Sequence, residues 1–286
     1  MTSLSIGGVH EHFNMPWHRL FESQVLQEAG IQPHWTDFHG GTGAMVEGLN
    51  SGAVDMAVLL TEGAIHGINQ GGAYRILSFY VSSPLLWGIH VPADSPYQKM
   101  ADVKGRRYAI SRYGSGSHLM SFVDAQKRQW SYENLDFVVV KNLQGAREAF
   151  QKREADIFFW EKFTTKPLVD AGEFRRIAER PTPYACFVVC ATEKALAEKA
   201  GEIQFCLKEV YKAARKLRQN PSIDSIIANY YGLQPEDVTE WLTSITWPYR
   251  RSLSRSALNK AITTLKSLDL IQAGLEVDDV IWSDWT

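Results

Sequence analysis

One passage occurs twice in this chain. Leu49-Asn-Ser-Gly-Ala-Val-Asp55-Met-Ala-Val is matched by Phe150-Gln-Lys-Arg-Glu-Ala-Asp156-Ile-Phe-Phe, and the pairs Leu49/Phe150, Asp55/Asp156 and Gly71/Gly172 each lie 101 positions apart. Each copy reads as a helix, a tight turn, a buried strand beginning at the aspartate, and a second helix ending at glycine, so one supersecondary unit is used twice. Polar loop, amphipathic helix and short apolar run in that order build parallel α/β sheets. The expected fold is therefore α/β with two lobes, each a mostly parallel sheet flanked by helices, and a ligand clamped between the lobes is the first functional expectation.

The 286 residues are 45% hydrophobic and 22% charged with a formal net charge of −2, enough for two ordinary cores. Without surplus positive charge a nucleic-acid partner is not expected. The longest apolar runs, such as Met56–Leu60 and Ile157–Trp160, fall far short of the roughly 20 residues of a membrane span, so the protein is not expected to be membrane-embedded. Met1 to Val9 carries neither a basic segment nor an apolar leader core. A cytoplasmic location is expected for the sequence as it stands, with a periplasmic or cell-surface location the alternative if a leader has been removed. Cys186, Cys190 and Cys206 lack Cys-x-x-Cys spacing and read as buried thiols, neither a disulfide framework nor a zinc site.

Along the chain, Ser5–Val9 reads as a strand, Pro16–Gly30 as helical, and Pro33–Phe38 as a strand before the loop His39-Gly-Gly-Thr-Gly43. A helix over Ala44–Ser51 closes at Gly52, a strand follows over Val54–Leu60, and Thr61 is expected to cap the next helix. After Ile76–Val81 the pattern restarts at Ser82-Ser83-Pro84. Strands are expected at Leu85–Val91, Arg107–Ser111, Phe137–Val140 and Phe174–Ala178, with a helix over His118–Arg128. Pro181-Thr-Pro183 marks a second boundary. Tyr184–Ala191 is one more apolar strand, and helices alone are expected beyond it. The expected lobes are 1–83 with 184–286, and 84–183, joined by a two-strand hinge.

Three passages, Gly48-Leu-Asn-Ser-Gly-Ala-Val-Asp55, Met100-Ala-Asp-Val-Lys-Gly-Arg-Arg-Tyr-Ala-Ile110 ahead of Gly114-Ser-Gly-Ser117, and Ala155-Asp-Ile-Phe-Phe-Trp-Glu161, together resemble the type II periplasmic-binding-protein fold. The resemblance is to its branch binding alkanesulfonates, taurine, nitrate and thiamine pyrimidine precursors. It implies a small ligand closed between lobes and, for a transport receptor, an ABC importer permease as partner.

The loops His39–Gly43 and Arg112–Ser117 both precede expected helices. Read as matching positions of two lobes, they aim unpaired backbone N–H groups and positive helix ends into one cleft. Gly41, Gly114 and Gly116 allow close approach, and Thr42, Ser115 and Ser117 add hydroxyls. Ordinary capped turns are the plain alternative. Thr61, Ser82 and Ser83, at strand ends, join the expected ligand-binding set. Of eight histidines, all between His10 and His118, four fall beside strand-to-helix loops: His10, His12, His39 and His118. His10-Glu11-His12 with His39 has the residue types of a metal site, but the central residue of His-x-His faces away in a strand and no metal is expected. Ligand hydrogen bonding by His10, His12 and His39 stands beside no role at all. The resemblance to the pyrimidine-binding branch implies an acidic residue near Glu161 for an amino-bearing ring edge, with Trp160, Tyr113 and Tyr184 as stacking candidates. Glu62 is a second acid, against core packing for Trp160 and a solvated helix start for Glu161. Arg112 instead favours a sulfonate or nitrate.

An enzyme on the same fold is the alternative, acting in thiamine or menaquinone biosynthesis, with Glu161, Glu62 or His10 as titratable nominees. One branch makes the thiamine pyrimidine with lysine-bound pyridoxal phosphate. Here the first lysine is Lys99 and Cys186-Phe-Val-Val-Cys190 holds only two thiols, so a Schiff base in the first lobe is excluded and no cofactor is expected. No Gly-x-Ser-x-Gly elbow, His-Glu-x-x-His helix or Walker loop occurs either. Binding is favoured over catalysis, and a ligand-sensing module that signals by closure is the third class.

Overall fold

Leu4, Ile6, Gly7 and Gly8 are buried in the first strand, β1 (Thr2–Gly8), and a single 3₁₀ turn at His12–Asn14 leads into α1 (Met15–Glu22). This computed structural model describes residues 1–285. The chain divides into two units, Met1–Pro84 with Pro183–Thr286, and Leu85–Thr182.

The first unit continues with α2 (Val25–Glu28), β2 (Ile31–Asp37), α3 (Gly41–Ser51), β3 (Met56–Leu60), α4 (Thr61–Asn69) and β4 (Tyr74–Val81). The second unit holds β5 (Leu86–Pro92), a 3₁₀ turn at Met100–Val103, β6 (Tyr108–Ile110), α5 (Gly116–Lys127) and β7 (Phe137–Val139). It closes with α6 (Leu143–Gln151), β8 (Ile157–Glu161), α7 (Lys166–Asp170) and β9 (Phe174–Pro181). The chain then returns to the first unit with β10 (Phe187–Thr192), α8 (Glu193–Glu198), α9 (Ala200–Arg218), α10 (Ile223–Tyr231), α11 (Pro235–Ser244), α12 (Arg255–Ser267) and α13 (Val277–Val280).

The two sheets have one topology. Their orders are β2-β1-β3-β10-β4 and β7-β6-β8-β5-β9. In the first, β1 pairs parallel with β2 and β3, whereas β10 pairs antiparallel with β3 and β4; in the second, β6 pairs parallel with β7 and β8, and β5 antiparallel with β8 and β9. Four strands of each sheet therefore share a direction, and the fourth in the order is reversed. That reversed strand, β5 or β10, is the first after the chain enters or re-enters its unit. Every residue of β3 is buried, as are Ile157, Phe158 and Phe159 of β8, the continuous apolar pattern of strands covered on both faces. α9 lies along α1 and buries Ile203, Cys206, Val210, Tyr211, Ala214 and Leu217. Each such side chain contributes ~1.5–3 kcal/mol relative to exposure when large and apolar.

Several local expectations change. The region Pro16–Gly30 is two helices, broken where Gln24 adopts φ +61°. α3 starts at Gly41, so Gly41–Gly43 are its first turn, and α5 starts at Gly116 with Ser115 as cap. Thr61 is the first residue of α4 and caps nothing: its hydroxyl donates to the Ala185 carbonyl at 2.7 Å. Beyond β10, a bridge of Ile281 to Ile76 adds to the helices. The outer edge of β4 is covered by a strap, with Phe79 N–H donating to Ser252 O at 2.8 Å, Ser82 N–H to Thr246 O at 2.9 Å and Trp282 N–H to Ile76 O at 3.0 Å. Among the described residues no helix is long and apolar enough to cross a membrane.

Candidate functional site

In both units the expected ligand-facing residues gather at the C-terminal ends of the parallel strands, the edge at which open α/β sheets bind ligands. In the first unit His10 and His12 follow β1, His39, Gly41 and Thr42 follow β2, and Thr61 and Glu62 follow β3. Tyr184 precedes β10, which runs the opposite way and starts at this edge.

His10 is exposed, its Nδ1 3.5 Å from Asp37 Oδ2 and its ring 5.0 Å from that of Tyr231. His12 is 2% exposed and meets Trp241 edge-on at 4.2 Å. Burial pushes its imidazole down to about 3, so it is a neutral ring packing α11 onto the strand end. His39 is exposed. At α3, Gly41 has φ +65° and donates its N–H to Phe38 O at 3.0 Å, and no side chain caps the helix start, so the N–H groups that follow in the first turn face the strand end, where a polar or anionic group is favoured. Thr42 is buried against α4, where a Cβ on Gly63 would come within 2.1 Å of Thr42 Cγ2.

Glu62, the second residue of α4, is 0% exposed. Neither of its carboxyl oxygens has a hydrogen bond of good geometry. Its own N–H and the Tyr184 hydroxyl approach it as weak, poorly aligned donors that favour the charged form, but burial outweighs both and pushes the acid up to about 7. Tyr184 is 4% exposed, and burial, then Glu62, raise its phenol well above the usual range.

Ser82 and Ser83 are used by the fold. Ser82 Oγ donates to Thr246 O at 3.3 Å and Ser83 Oγ accepts the Thr246 N–H at 3.1 Å. This structural role in holding a strap from the C-terminal region stands beside the expected ligand-facing one. Lys199 likewise corrects the expectation that the first lobe lacks a lysine. It belongs to the first unit, with Nζ 2.9 Å from Asp55 Oδ1, so the exclusion of a Schiff base covers only the chain before Lys99.

In the second unit the turn after β6 is internally bonded. Gly114, with φ +76°, donates its N–H to His118 Nδ1 at 3.0 Å, which leaves the ring proton on Nε2. Ser115 Oγ accepts the His118 N–H at 3.3 Å, and Ser117 Oγ accepts the Ser111 N–H at 3.0 Å and lies 3.0 Å from Ser115 Oγ. The hydroxyls thus shape the turn, and Gly116 opens α5. Tyr113 is 65% exposed, with His118 edge-on at 5.3 Å, and Arg112 is half-buried.

Glu161 is 4% exposed. Its Oε2 accepts the N–H groups of Phe163 and Thr164 at 2.9 and 2.6 Å and the Thr164 hydroxyl at 2.9 Å. It therefore caps the turn after β8 rather than starting a solvated helix. Burial dominates over those bonds and raises it to about 7. Trp160 points to the other face of β8, stacked on Phe158 at 5.1 Å and packed against the cluster of Ala146, Phe150 and Phe174. Core packing explains its position.

The loops read as matching are not equivalent. In the shared topology β6 corresponds to β1 and β7 to β2, so Arg112–Ser117 matches the turn carrying His10 and His12. The counterpart of α3 is α6, capped by Asn142 Oδ1 on the Gly145 N–H at 2.9 Å. Asp37, Tyr230, Tyr231 and Trp241, which surround the histidines, escaped the sequence reading. The only local signal is the adjacent tyrosines before Gly232, and nothing in spacing links them to His10. Among the described residues no group of three or more His, Cys, Asp or Glu is placed to hold a metal.

The family model for Ca3427-like PBP matches residues 87–180, within the second unit. The Candida albicans CA3427 gene product, described as defining a family with the generic periplasmic binding protein fold, superposes with a TM-score of 0.92 at 24% identity, covering 100% of both chains. This is a type II periplasmic-binding-protein fold. The same fold is shared with the alkanesulfonate-binding protein SsuA from Xanthomonas axonopodis pv. citri bound to MOPS, at TM-score 0.81 and 19% identity over 99% of this chain and 98% of that one. The desulfurization enzyme DSZB matches at TM-score 0.61 and 16% identity over 100% and 97%. A search of curated protein sequences finds no significant match. The fold is thus shared with an alkanesulfonate-binding protein and with an enzyme.

Proposed function

We propose that this chain is a solute-binding protein that closes its two lobes around a small polar ligand such as a sulfonate, a carboxylate or a thiamine-type pyrimidine. Its setting is the receptor of an ABC importer if the protein is exported, or a cytoplasmic binding protein if it is not. The observation that supports this reading most is the collection of polar groups at one edge of each sheet. The first turn of α3, which no side chain caps, and the acid Glu62 lie at that edge of the first unit, and the Gly114–Ser117 turn and Glu161 at that edge of the second. The likeness to an alkanesulfonate-binding protein supports a small ligand of this kind.

A thermal-shift screen over sulfonates, carboxylates, nitrate and aminopyrimidines tests it, since a ligand bound only by the native state adds ~2.7 kcal/mol of stability at 100 times its dissociation constant. A stabilising ligand should also reduce the radius of gyration in small-angle scattering, because both half-sites are satisfied only when closed. No shift from any class removes the reading.

A second reading is favoured by the two buried carboxyls, raised to about 7, where general acid–base catalysis works best, and by the likeness to a desulfurization enzyme. Conversion of a stabilising ligand, followed by mass spectrometry, separates it from the first.

A further inference from the structure

Half-buried Asp55 and buried Asp124 and Glu161 are well supplied with donors. Asp55 takes the N–H and hydroxyl of Ser5 and the ammonium of Lys199. Asp124 takes two guanidinium groups, and Glu161 takes three bonds on one oxygen. Glu62 is as buried as any of them, yet both its oxygens lack a hydrogen bond of good geometry. A buried acceptor in that state is costly unless a partner arrives. Its location excludes indifference: it stands in the first turn of α4, at the strand end where this fold binds ligands, beside Tyr184. The glycine that follows it, Gly63, brings α3 and Thr42 into direct contact with its own turn.

We propose that Glu62 is the acceptor for an N–H or O–H donor of the ligand, so that the site selects amino- or hydroxyl-bearing solutes over purely anionic ones. This rests on the binding reading above and narrows its ligand class. Among the described residues, the groups that act on the Glu62 carboxyl are its own N–H and the Tyr184 hydroxyl, and neither is a cation. β10's approach brings Tyr184 and Cys186, β4 brings Tyr74, whose hydroxyl donates to Ala64 O at 3.2 Å, and α3 brings Thr42. On α4 itself His66 is held by Leu270 O at 3.0 Å, and on α12 Arg255 and Lys266 pair with Asp278 and Glu276.

The consequence is proton-linked binding of opposite sign for two ligand classes. A donor ligand binds the carboxylate and displaces the Glu62 proton, so its affinity rises with pH through the acid's native value near 7. An anion prefers the protonated acid, and its affinity falls over the same range.

The test is calorimetric titration of the full chain with two probes whose charge is constant between pH 6 and pH 8, the neutral 2-aminopyrimidine and the anion methanesulfonate. The expected result is that 2-aminopyrimidine binds, about tenfold more tightly at pH 8 than at pH 6, and loses about ten- to a hundredfold in Glu62→Gln. The pH comparison needs only the unaltered protein, so a misfolded variant does not blunt the test. Affinity for 2-aminopyrimidine that is flat in pH, or unchanged in Glu62→Gln, overturns the inference. Binding of methanesulfonate alone also overturns it while leaving the binding reading intact. Binding of neither probe overturns it, and a blank over the whole ligand screen removes the binding reading too.

Discussion

Asp55 and Ser5 are joined in both directions: the Asp55 carboxylate accepts the Ser5 N–H at 2.8 Å and its hydroxyl at 2.9 Å, while the Asp55 N–H donates to Ser5 O at 2.9 Å. The same relation holds between Asp156 and Arg107, with the carboxylate accepting the Arg107 N–H at 3.1 Å and the Asp156 N–H donating to Arg107 O at 2.9 Å. The aspartate that recurs along the sequence is therefore a register pin, locking the start of β3 to β1 and of β8 to β6.

Asp55→Ala and Asp156→Ala should each lower stability by ~1.5–3 kcal/mol, the size of hydrogen bonds to a charged group, read from urea unfolding midpoints. Burial alone would raise both acids. The bonds from Ser5 and Lys199, and those from Arg107, outweigh it and hold both below the usual carboxylate range. Their contribution is complete above the unfolded value of about 3.9 and is lost as pH falls through the lowered native values. Equal midpoints for variant and parent at pH 7 would refute the pin.

Gly63→Ala should destabilise, because its Cβ would lie 2.1 Å from Thr42 Cγ2. Overpacking of this kind costs about 1–3 kcal/mol, against a helix-propensity gain of up to ~1 kcal/mol. Thr42→Ser removes the offending methyl. On that background the alanine should become neutral or stabilising, and a double-mutant cycle showing no coupling would contradict the close α3–α4 contact.

Asp124 is 0% exposed and lies between Arg128 Nε at 2.7 Å and Arg180 Nη2 at 2.6 Å. It ties the end of α5 to β9. Removing it strands two guanidinium groups, so Asp124→Ala should cost ~3–5 kcal/mol in chemical denaturation. A loss below ~1 kcal/mol would mean that water replaces the carboxylate.

Glu62→Gln should change the pH dependence of stability without any ligand. Burial first, then the weaker opposing contacts, set the native acid at about 7, above the unfolded ~4.3. The native state therefore holds its proton more tightly, and wild-type stability falls as pH rises from ~4.3 to about 7 and is flat beyond. The variant lacks this loss and should gain on wild type, on the order of 1–3 kcal/mol, between pH 5 and pH 8. Melting curves at both pH values check it; parallel curves would show that Glu62 is not desolvated.

Strands were the most legible elements. Met56–Leu60 and Ile157–Phe159 carry no polar side chain, and the spacing of Cys206, Val210, Ala214 and Leu217 marks the buried face of α9. Helix starts were less legible. Gly41 and Gly116 read as loop, yet both open helices, where N–H groups lack intrahelical partners in any case and glycine suits a turn that must lie close to another group. Ser82 and Ser83 have the composition of a polar ligand site, but their partner Thr246 lies 164 and 163 positions away.

Residue order already carries the interior of most strands and helices, and the double use of one α/β unit, because burial on both faces and the 3.6-residue helical period leave a pattern along the chain. The state of the polar groups follows instead from packing between distant segments. Glu62 and Glu161 are the same residue type, each at the strand end of its own unit, yet Glu161 is supplied with three donors and Glu62 with no hydrogen bond of good geometry. Likewise His10 stays in water while His12, two residues on, is a neutral ring against Trp241. A carboxyl or imidazole takes its charge from what surrounds it in space, and those surroundings are assembled from segments that the order of residues leaves far apart.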